Sequence, residues 1–525
     1  METTIINKLN NELVDSGEFD ALVIESYNKG IADKCLAAEH FFARSEIPPG
    51  TAAKRDFSYI APDIPEFLAS KCTGCMDCVT QCPDTAILAK VVKESELDNF
   101  VNRFTQDEST KQTLRKQFAS TKKYYDVPKK KGADGGKLII AIDPTKCKGC
   151  AECVEVCSDD ALAMLKKDDD NMRVLKDIHN FYEKLPETPK EYIQEKVLAD
   201  MMLSHKSLLY TGGAGSCMGC GEATAVRMML AATGYVHGKE NVAIMNSTGC
   251  STVYASTYPY NPYLIPWTNS LFENSPAVAL GTRARWNQLG WADKKLWVLG
   301  GDGAMIDIGF QALSRMLMSG MDIKVMVLDT QVYSNTGGQT STSSFLSQDT
   351  KMSAVGSFIP GKTERRKELG QICIMHPDVF VAQVTTAHIN YFYRAIMAAN
   401  VYPGPAVINV YTTCQPEHGV ADNMSQHQAS LAVDSRAFPM FIYDPRKGET
   451  IKERLSLQGN PAVNEDWYKD PKTGEVIDFV HFARTEGRFA KLFNKDGTPK
   501  EALLKSQNDR LKNWRQLQEL AGIKR

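Results

Sequence analysis

From Val242 onward, apolar runs alternate with amphipathic stretches. The runs 242–247, 296–300, 324–329, 379–384 and 406–411 read as buried strands, with helices such as 308–318 and 388–400 between them. Runs without a polar alternate face imply a parallel sheet covered on both sides, so the expected fold is α/β with a doubly wound sheet. Upstream the pattern weakens. Ile5, Leu9 and Leu13 start a helical spacing that resumes over 21–42, before a proline-rich stretch at 47–65.

This patterning divides the chain into four parts. Residues 1–65 are expected to be a docking arm or domain remnant. Residues 66–167 form a small domain in which two cysteine-rich units flank a charged insertion (93–137) expected as surface helix. Residues 168–436 hold the sheet. Residues 437–525 turn polar, contain several prolines and end in a basic helix at 507–520, which reads as an arm wrapping a neighbour.

A length of 525 residues exceeds one ordinary core and fits this multidomain reading. Lys+Arg 61 against Asp+Glu 63 gives a net charge of -2, so no global attraction to nucleic acid or anionic membrane is expected. No window approaches the roughly 18 apolar residues of a membrane span. The first residues carry neither a basic nor an apolar leader segment, so a cytoplasmic location is expected.

The 14 cysteines change the picture most. In a reducing compartment, tightly spaced cysteines read as metal ligands before disulfides. KCTGCMDCVTQCP places Cys72, Cys75, Cys78 and Cys82 in the C-x₂-C-x₂-C-x₃-C-P run of bacterial iron–sulfur proteins. Cys147, Cys150, Cys153 and Cys157 repeat it, with Ser158 at the proline position. In such runs three thiolates serve one cubane and the fourth serves the other. Two [4Fe–4S] clusters are therefore expected, one on Cys72, Cys75, Cys78 and Cys157, the other on Cys147, Cys150, Cys153 and Cys82. Zinc ribbons want paired ligands and have no use for this octet.

In the sheet region, the strand at 296–300 runs into Gly301, Asp302 and Gly303, and Thr330 stands at the end of the next strand in LDTQVYSNTGG. Glycines at a strand-to-helix turn let backbone amides approach a diphosphate, and the aspartate can hold its Mg²⁺. This is the diphosphate–metal motif of thiamine enzymes. Their usual asparagine ligand is here Thr330, whose hydroxyl, with the Val332 carbonyl, would replace the amide. Asn335 then lies in the loop facing the thiazolium. Cys217 and Cys220 in GSCMGCGE, Cys250 in NSTGCST and Cys414 in VYTTCQPEHG sit in turns or just beyond predicted strand ends. In an open parallel sheet such positions converge, so these four can make one thiolate site beside the cofactor. Cys35 and Cys373 read as unrelated buried thiols.

The order of these motifs closely resembles the C-terminal half of the pyruvate:ferredoxin (flavodoxin) oxidoreductases, of the 2-oxoacid:ferredoxin oxidoreductase family, over about residues 65–445. The resemblance implies a bacterial-ferredoxin-like α+β domain ahead of a thiamine-diphosphate domain. It implies a proximal [4Fe–4S] cluster on Cys217, Cys220, Cys250 and Cys414, three clusters in all, and Mg²⁺ on Asp302, Thr330 and the Val332 carbonyl. Glu222, Cys250, Gly301, Asp302, Gly303, Ala304, Thr330, Gln331, Val332, Tyr333, Ser334 and Asn335 would line thiamine diphosphate, with Asn335 nearest the substrate as the catalytic residue. The family's aminopyrimidine glutamate, substrate arginine and coenzyme A site are not recognisable here.

A second chain carrying those parts is therefore expected, along with ferredoxin or flavodoxin as acceptor and a dimer of heterodimers. The implied activity is coenzyme A-dependent oxidation of pyruvate to acetyl-CoA and CO₂, or its reverse. The alternatives are another 2-oxo acid, such as 2-oxoglutarate or an aryl pyruvate, and a non-catalytic electron-transfer subunit.

Overall fold

The computed structural model describes residues 15–36, 40–43 and 45–523, so Ile5, Leu9 and Leu13 lie outside the described residues. Thirteen strands matter to the site. β1 (Asp63–Phe67), β2 (Ile87–Lys93), β3 (Phe118–Ser120), β4 (Gly136–Ile142) and β5 (Leu162–Lys166) belong to the cysteine-rich unit. β6 (Val242–Ser247), β7 (Trp267–Ser270), β8 (Lys295–Gly301), β9 (Lys324–Asp329), β10 (Phe380–Thr385), β11 (Ala406–Tyr411), β12 (Phe441–Tyr443) and β13 (Leu455–Ser456) make one eight-stranded sheet.

The sheet order is β13-β12-β10-β11-β9-β8-β6-β7. Every pairing from β10 to β7 is parallel, while β12 pairs antiparallel with β10 and β13 with β12. Alternate residues of each central strand point to opposite faces, and both faces are buried. Ile244, Leu299, Met326, Leu328, Ile408 and Val410 pack against helices Gly221–His237 and Ile389–Val401. Val298, Val325, Val327, Val381 and Val407 face the opposite layer with Leu313, Met316 and Leu369. The doubly wound α/β expectation therefore holds. Each of the five expected strands forms within one residue of its expected bounds.

The cysteine-rich unit is α+β. β1 pairs antiparallel with β5, joining its two ends, and β2, β4 and β3 form a second antiparallel sheet. The sequence repeat is also a backbone repeat. Left-handed φ angles recur at Gly74 and Gly149, at Met76 and Ala151, and at Thr85 and Asp160. These positions follow the cysteines at equal spacing in both halves, curling each loop around its thiols. The insertion is only partly helix. After helices Glu94–Phe104 and Glu108–Lys116 it supplies β3, because the alternation at Phe118–Ser120 extends the open edge of β4.

The tail from 437 packs on its own chain: β12 and β13 extend the sheet, Trp514 and Leu517 cover one face, and Phe479, Phe482 and Phe489 pack on Phe345. Its apolar residues are spaced as an amphipathic wrap would be, and periodicity does not say whose surface they cover. The helical pattern over 21–42 forms in part: an unbroken helical run, with a π segment at Asp20–Ile24, extends from Ser16 to Asn28, and single turns follow at Ala32–Cys35 and His40–Ala43. Within the N-terminal part Phe19, Val23, Ile24 and Phe41 pack with Tyr260.

Candidate active site and cluster centres

The site segments leave the carboxyl ends of four adjacent strands. Thr248–Cys250 follow β6, Asp302 and Gly303 follow β8, Thr330 follows β9, and Thr412–Cys414 follow β11, and in space these strands stand in the order β6, β8, β9, β11. Strand order reverses at this edge, the place where open α/β sheets form their ligand crevice.

A cavity of about 320 Å³ opens there, walled by Glu222, Cys250, Gly301, Asp302, Gly303, Ala304, Thr330, Val332, Tyr333, Ser334 and Asn335. Eleven of the twelve residues expected to line the cofactor are thus brought together. Gln331 alone is not in the wall. It is fully buried behind its neighbours. Asn335 is exposed and lines the edge this cavity shares with the next. Gly303 has a second reason to lack a side chain, since a Cβ there would lie 2.7 Å from the Tyr333 ring.

The three oxygens expected around Mg²⁺ sit together. Thr330 Oγ1 lies 3.3 Å from Asp302 Oδ1 and 3.0 Å from the Val332 carbonyl. With Mg–O distances near 2.1 Å, neighbouring corners of an octahedron are about 3.0 Å apart, so this donor set fits the ion. The electrostatics agree. Burial and the neighbouring Asp329 push the Asp302 carboxyl up to about 7, and burial with Asp302 nearby pushes Glu222 up to about 8. A divalent cation would offset this accumulation of acid in a dry site. Ser343 Oγ donates to the other Asp302 oxygen at 2.7 Å and holds the carboxylate in orientation.

A second cavity, of about 100 Å³, adjoins the first and shares Glu222, Cys250, Thr330, Ser334 and Asn335 with it. Cys217, Cys220, Cys250 and Cys414 all line it. Within the cysteine-rich unit, Cys72, Cys75, Cys78 and Cys157 line a cavity of their own. Cys147, Cys150 and Cys153 lie near Cys82, each thiol being raised in part by it. These are the groupings, including the exchange of Cys82 and Cys157 between units, expected from the spacing.

Among the described residues, no three His, Cys, Asp or Glu side chains are arranged to hold a single metal ion. Two of the cysteine quartets surround a space instead, as a polynuclear cluster requires. Burial raises the thiols, Cys72 to about 11 and Cys414 to about 12, while backbone N–H groups of Gly74 and Glu417 point at those sulfurs. Such amides stabilise ligated thiolate and suit iron–sulfur ligation. Cys373 is buried as expected, but Cys35 is exposed, because its helix is a single turn on the surface.

The cysteine-rich unit docks where the four-cysteine cavity lies. Lys148 Nζ donates to the carbonyls of Ala214 (2.9 Å) and Ser216 (2.7 Å), just before Cys217. Arg227, buried on helix Gly221–His237, donates to the carbonyls of Val79 and Thr80. Glu152 accepts from the backbone N–H of Ser425 and of Gln426. No sequence signal marked these contacts, because each joins residues remote along the chain.

Other residues that brace these loops also escaped the sequence. Arg366 pairs with buried Asp329. Asp307 accepts from the Tyr333 hydroxyl at 2.6 Å and fixes that loop. His418 lies inside TTCQPEHG, yet its role needed coordinates: Nδ1 accepts from Cys414 N–H, and Nε2–H donates to the Thr330 carbonyl at 2.8 Å.

Residues 247–410 match the family described as "Thiamine pyrophosphate enzyme, C-terminal TPP binding domain". The chain is 27% identical to the pyruvate:ferredoxin oxidoreductase of Moorella thermoacetica, across 89% of this chain and 43% of that protein. It is 28% identical to the pyruvate-flavodoxin oxidoreductase of Klebsiella pneumoniae, across 82% of this chain and 40% of that protein. A solved 2-oxoglutarate:ferredoxin oxidoreductase from Magnetococcus marinus aligns at 22% identity and a TM-score of 0.34, covering 40% of this chain and 68% of that one, too slight a likeness to build on. The chain spans about two fifths of the length of the curated relatives it matches. Over most of its length the chain is therefore similar to the pyruvate:ferredoxin and pyruvate-flavodoxin oxidoreductases, and its residues 247–410 match a thiamine pyrophosphate-binding domain.

Proposed function

We propose that this chain is the thiamine-diphosphate and iron–sulfur part of an enzyme that oxidises a 2-oxo acid, pyruvate first, and passes the electrons to ferredoxin or flavodoxin. The observation that carries the reading is the shared wall: Glu222, Cys250, Thr330, Ser334 and Asn335 line both the cofactor-sized cavity and the four-cysteine cavity. When bound, thiamine diphosphate supplies the electron sink for decarboxylation, and iron–sulfur clusters supply one-electron acceptors.

The chain's own residues have definite tasks. Asp302, Thr330 and the Val332 carbonyl would hold the Mg²⁺ that accompanies the diphosphate. Asn335 stands at the exposed end of the loop, where substrate enters. Cys217, Cys220, Cys250 and Cys414 would hold the proximal cluster, and the two quartets of the cysteine-rich unit would hold the other two. Lys148 and Arg227 keep that unit seated so that donor and acceptor stay in register. Within the cysteine-rich unit Cys75 is the one exposed thiol of the eight, so the quartet containing it would be the surface from which a soluble acceptor collects electrons.

Coenzyme A, the aminopyrimidine glutamate and the substrate arginine would come from a second chain or a longer polypeptide, since none is recognisable among these residues. The relatives' greater length supports this.

The test is anaerobic viologen reduction by the natively purified complex with pyruvate, 2-oxoglutarate and phenylpyruvate, each with and without coenzyme A. Coenzyme A-dependent reduction with pyruvate is the expected result. Preference for another 2-oxo acid moves the substrate and keeps the chemistry. No reduction with any of them, despite full iron content, overturns the enzymatic reading in favour of an electron carrier.

A further inference from the structure

Gln331 separates two of the cation's expected ligands, Thr330 and Val332, and its backbone is left-handed at φ 57°. A residue with a Cβ is strained there unless its surroundings hold it. The kink folds the chain back so that the Val332 carbonyl meets the Thr330 hydroxyl at 3.0 Å.

Several bonds enforce the kink. Gln331 N–H donates to Asp329 Oδ1 at 3.2 Å, and the Gln331 carbonyl accepts from Ser344 Oγ at 2.6 Å and Gln348 Nε2 at 3.1 Å. Gln331 Nε2 also donates to the Asp329 carbonyl and Oδ1, and further contacts come from far along the chain. Arg488 Nη2 donates to Gln331 Oε1 at 3.1 Å, and Nη1 reaches the Thr330 carbonyl at 3.4 Å. Glu486 Oε2 accepts from Arg488 Nε at 2.6 Å and aims the guanidinium, with both side chains at most 1% exposed. Gly487, between them, packs on Gly419, where a Cβ on the latter would lie 2.8 Å from the Gly487 Cα. This glycine contact brings the C-terminal segment close enough to reach the loop.

We propose that Arg488, aimed by Glu486, is a positioning residue for the divalent cation: it holds Gln331 in the left-handed conformation that presents the Val332 carbonyl and Thr330 hydroxyl together. The inference rests on the reading of that cavity as a thiamine-diphosphate and cation site. It gives the C-terminal segment a part in the cofactor's affinity, although the segment reaches no cavity wall.

The test is a titration of the purified full chain with Mn²⁺ in the presence of thiamine diphosphate, bound metal being read by loss of the free-ion EPR signal. R488M is expected to raise the Mn²⁺ Kd about tenfold, the scale of a left-handed residue's strain, with iron content unchanged. Because glycine takes positive φ freely, R488M made in a Q331G background should change the Kd less than about twofold. The charge-neutral pair E486Q/R488M guards against misfolding from an orphaned Glu486 and should show the same tenfold loss.

An unchanged Kd in R488M, or an equal loss in the Q331G background, would overturn the proposal while leaving the cofactor site intact. A wild-type chain that bound no Mn²⁺ under these conditions would overturn both this proposal and the cofactor reading.

Discussion

Lys148 Nζ lies 2.6 Å from Asp84 Oδ1, with the two side chains only 3% and 4% exposed, and the pair sits on the seam between the cysteine-rich unit and the four-cysteine loop. Removing one partner leaves a buried charge without compensation, which costs about 3 kcal/mol or more. K148M should therefore lower unfolding stability by about that amount, and K148M combined with D84N by clearly less. Denaturant unfolding of both variants, with native iron content as the check on the clusters, measures the difference.

Asp302→Ala should abolish Mg²⁺ and thiamine diphosphate binding, since Asp302 Oδ1 is the charged member of the oxygen trio around Thr330 Oγ1. Iron content should stay near that of the wild type, because Asp302 touches no cysteine quartet. Paired metal analysis and cofactor calorimetry test this, and loss of iron would place the cation elsewhere.

Cys414→Ala removes one wall of the proximal quartet. With three cubanes the wild-type chain holds about twelve irons, and the variant should hold about eight. An iron count equal to the wild type would mean that Cys414 ligates no cluster.

The Arg227 guanidinium is buried beside Cys82 and Asp84 and donates to carbonyls of the segment leading to Cys82. A fixed positive charge in a dry interior favours the reduced, more negative state of a nearby cluster. R227Q should lower the reduction potential of the clusters in the cysteine-rich unit. EPR-monitored redox titration gives the sign, and an unchanged or raised potential contradicts it.

Lys324 opens β9 with a fully buried side chain, its Nζ donating to the Gly404 carbonyl at 2.8 Å, and burial pulls its pKa down to about 8. The unfolded chain keeps the ordinary value near 10.4. Between about pH 8 and pH 10 the unfolded state binds the extra proton, so this group makes stability rise with pH across that window. K324M lacks the rise. The wild-type-minus-K324M difference in urea unfolding should climb from pH 8 to pH 10 and be flat below pH 7.

The central strands and the cluster loops were legible in the sequence because their signals are local. Strands such as β9 and β11 are short runs of apolar residues whose two faces are both buried, and periodicity reports that burial directly. The cysteine units carry ligand spacing within a dozen residues, and Asp302 sits in a turn whose glycines announce it. Less was visible where the partner is remote. β12 and β13 are too short to register as strands, and they exist because β10 offers an open edge.

The sequence by itself determined which residues can ligate and which strands can be buried, since ligand chemistry and hydrophobic periodicity belong to the local chain. Only the tertiary structure decided that Lys148 seats one unit on the other, and that Arg488 reaches Gln331 across 157 positions of sequence. The physical reason is that such contacts depend on strand order and on close approaches such as Gly419 against Gly487. Packing of the whole chain fixes these, and no short stretch of residues encodes them.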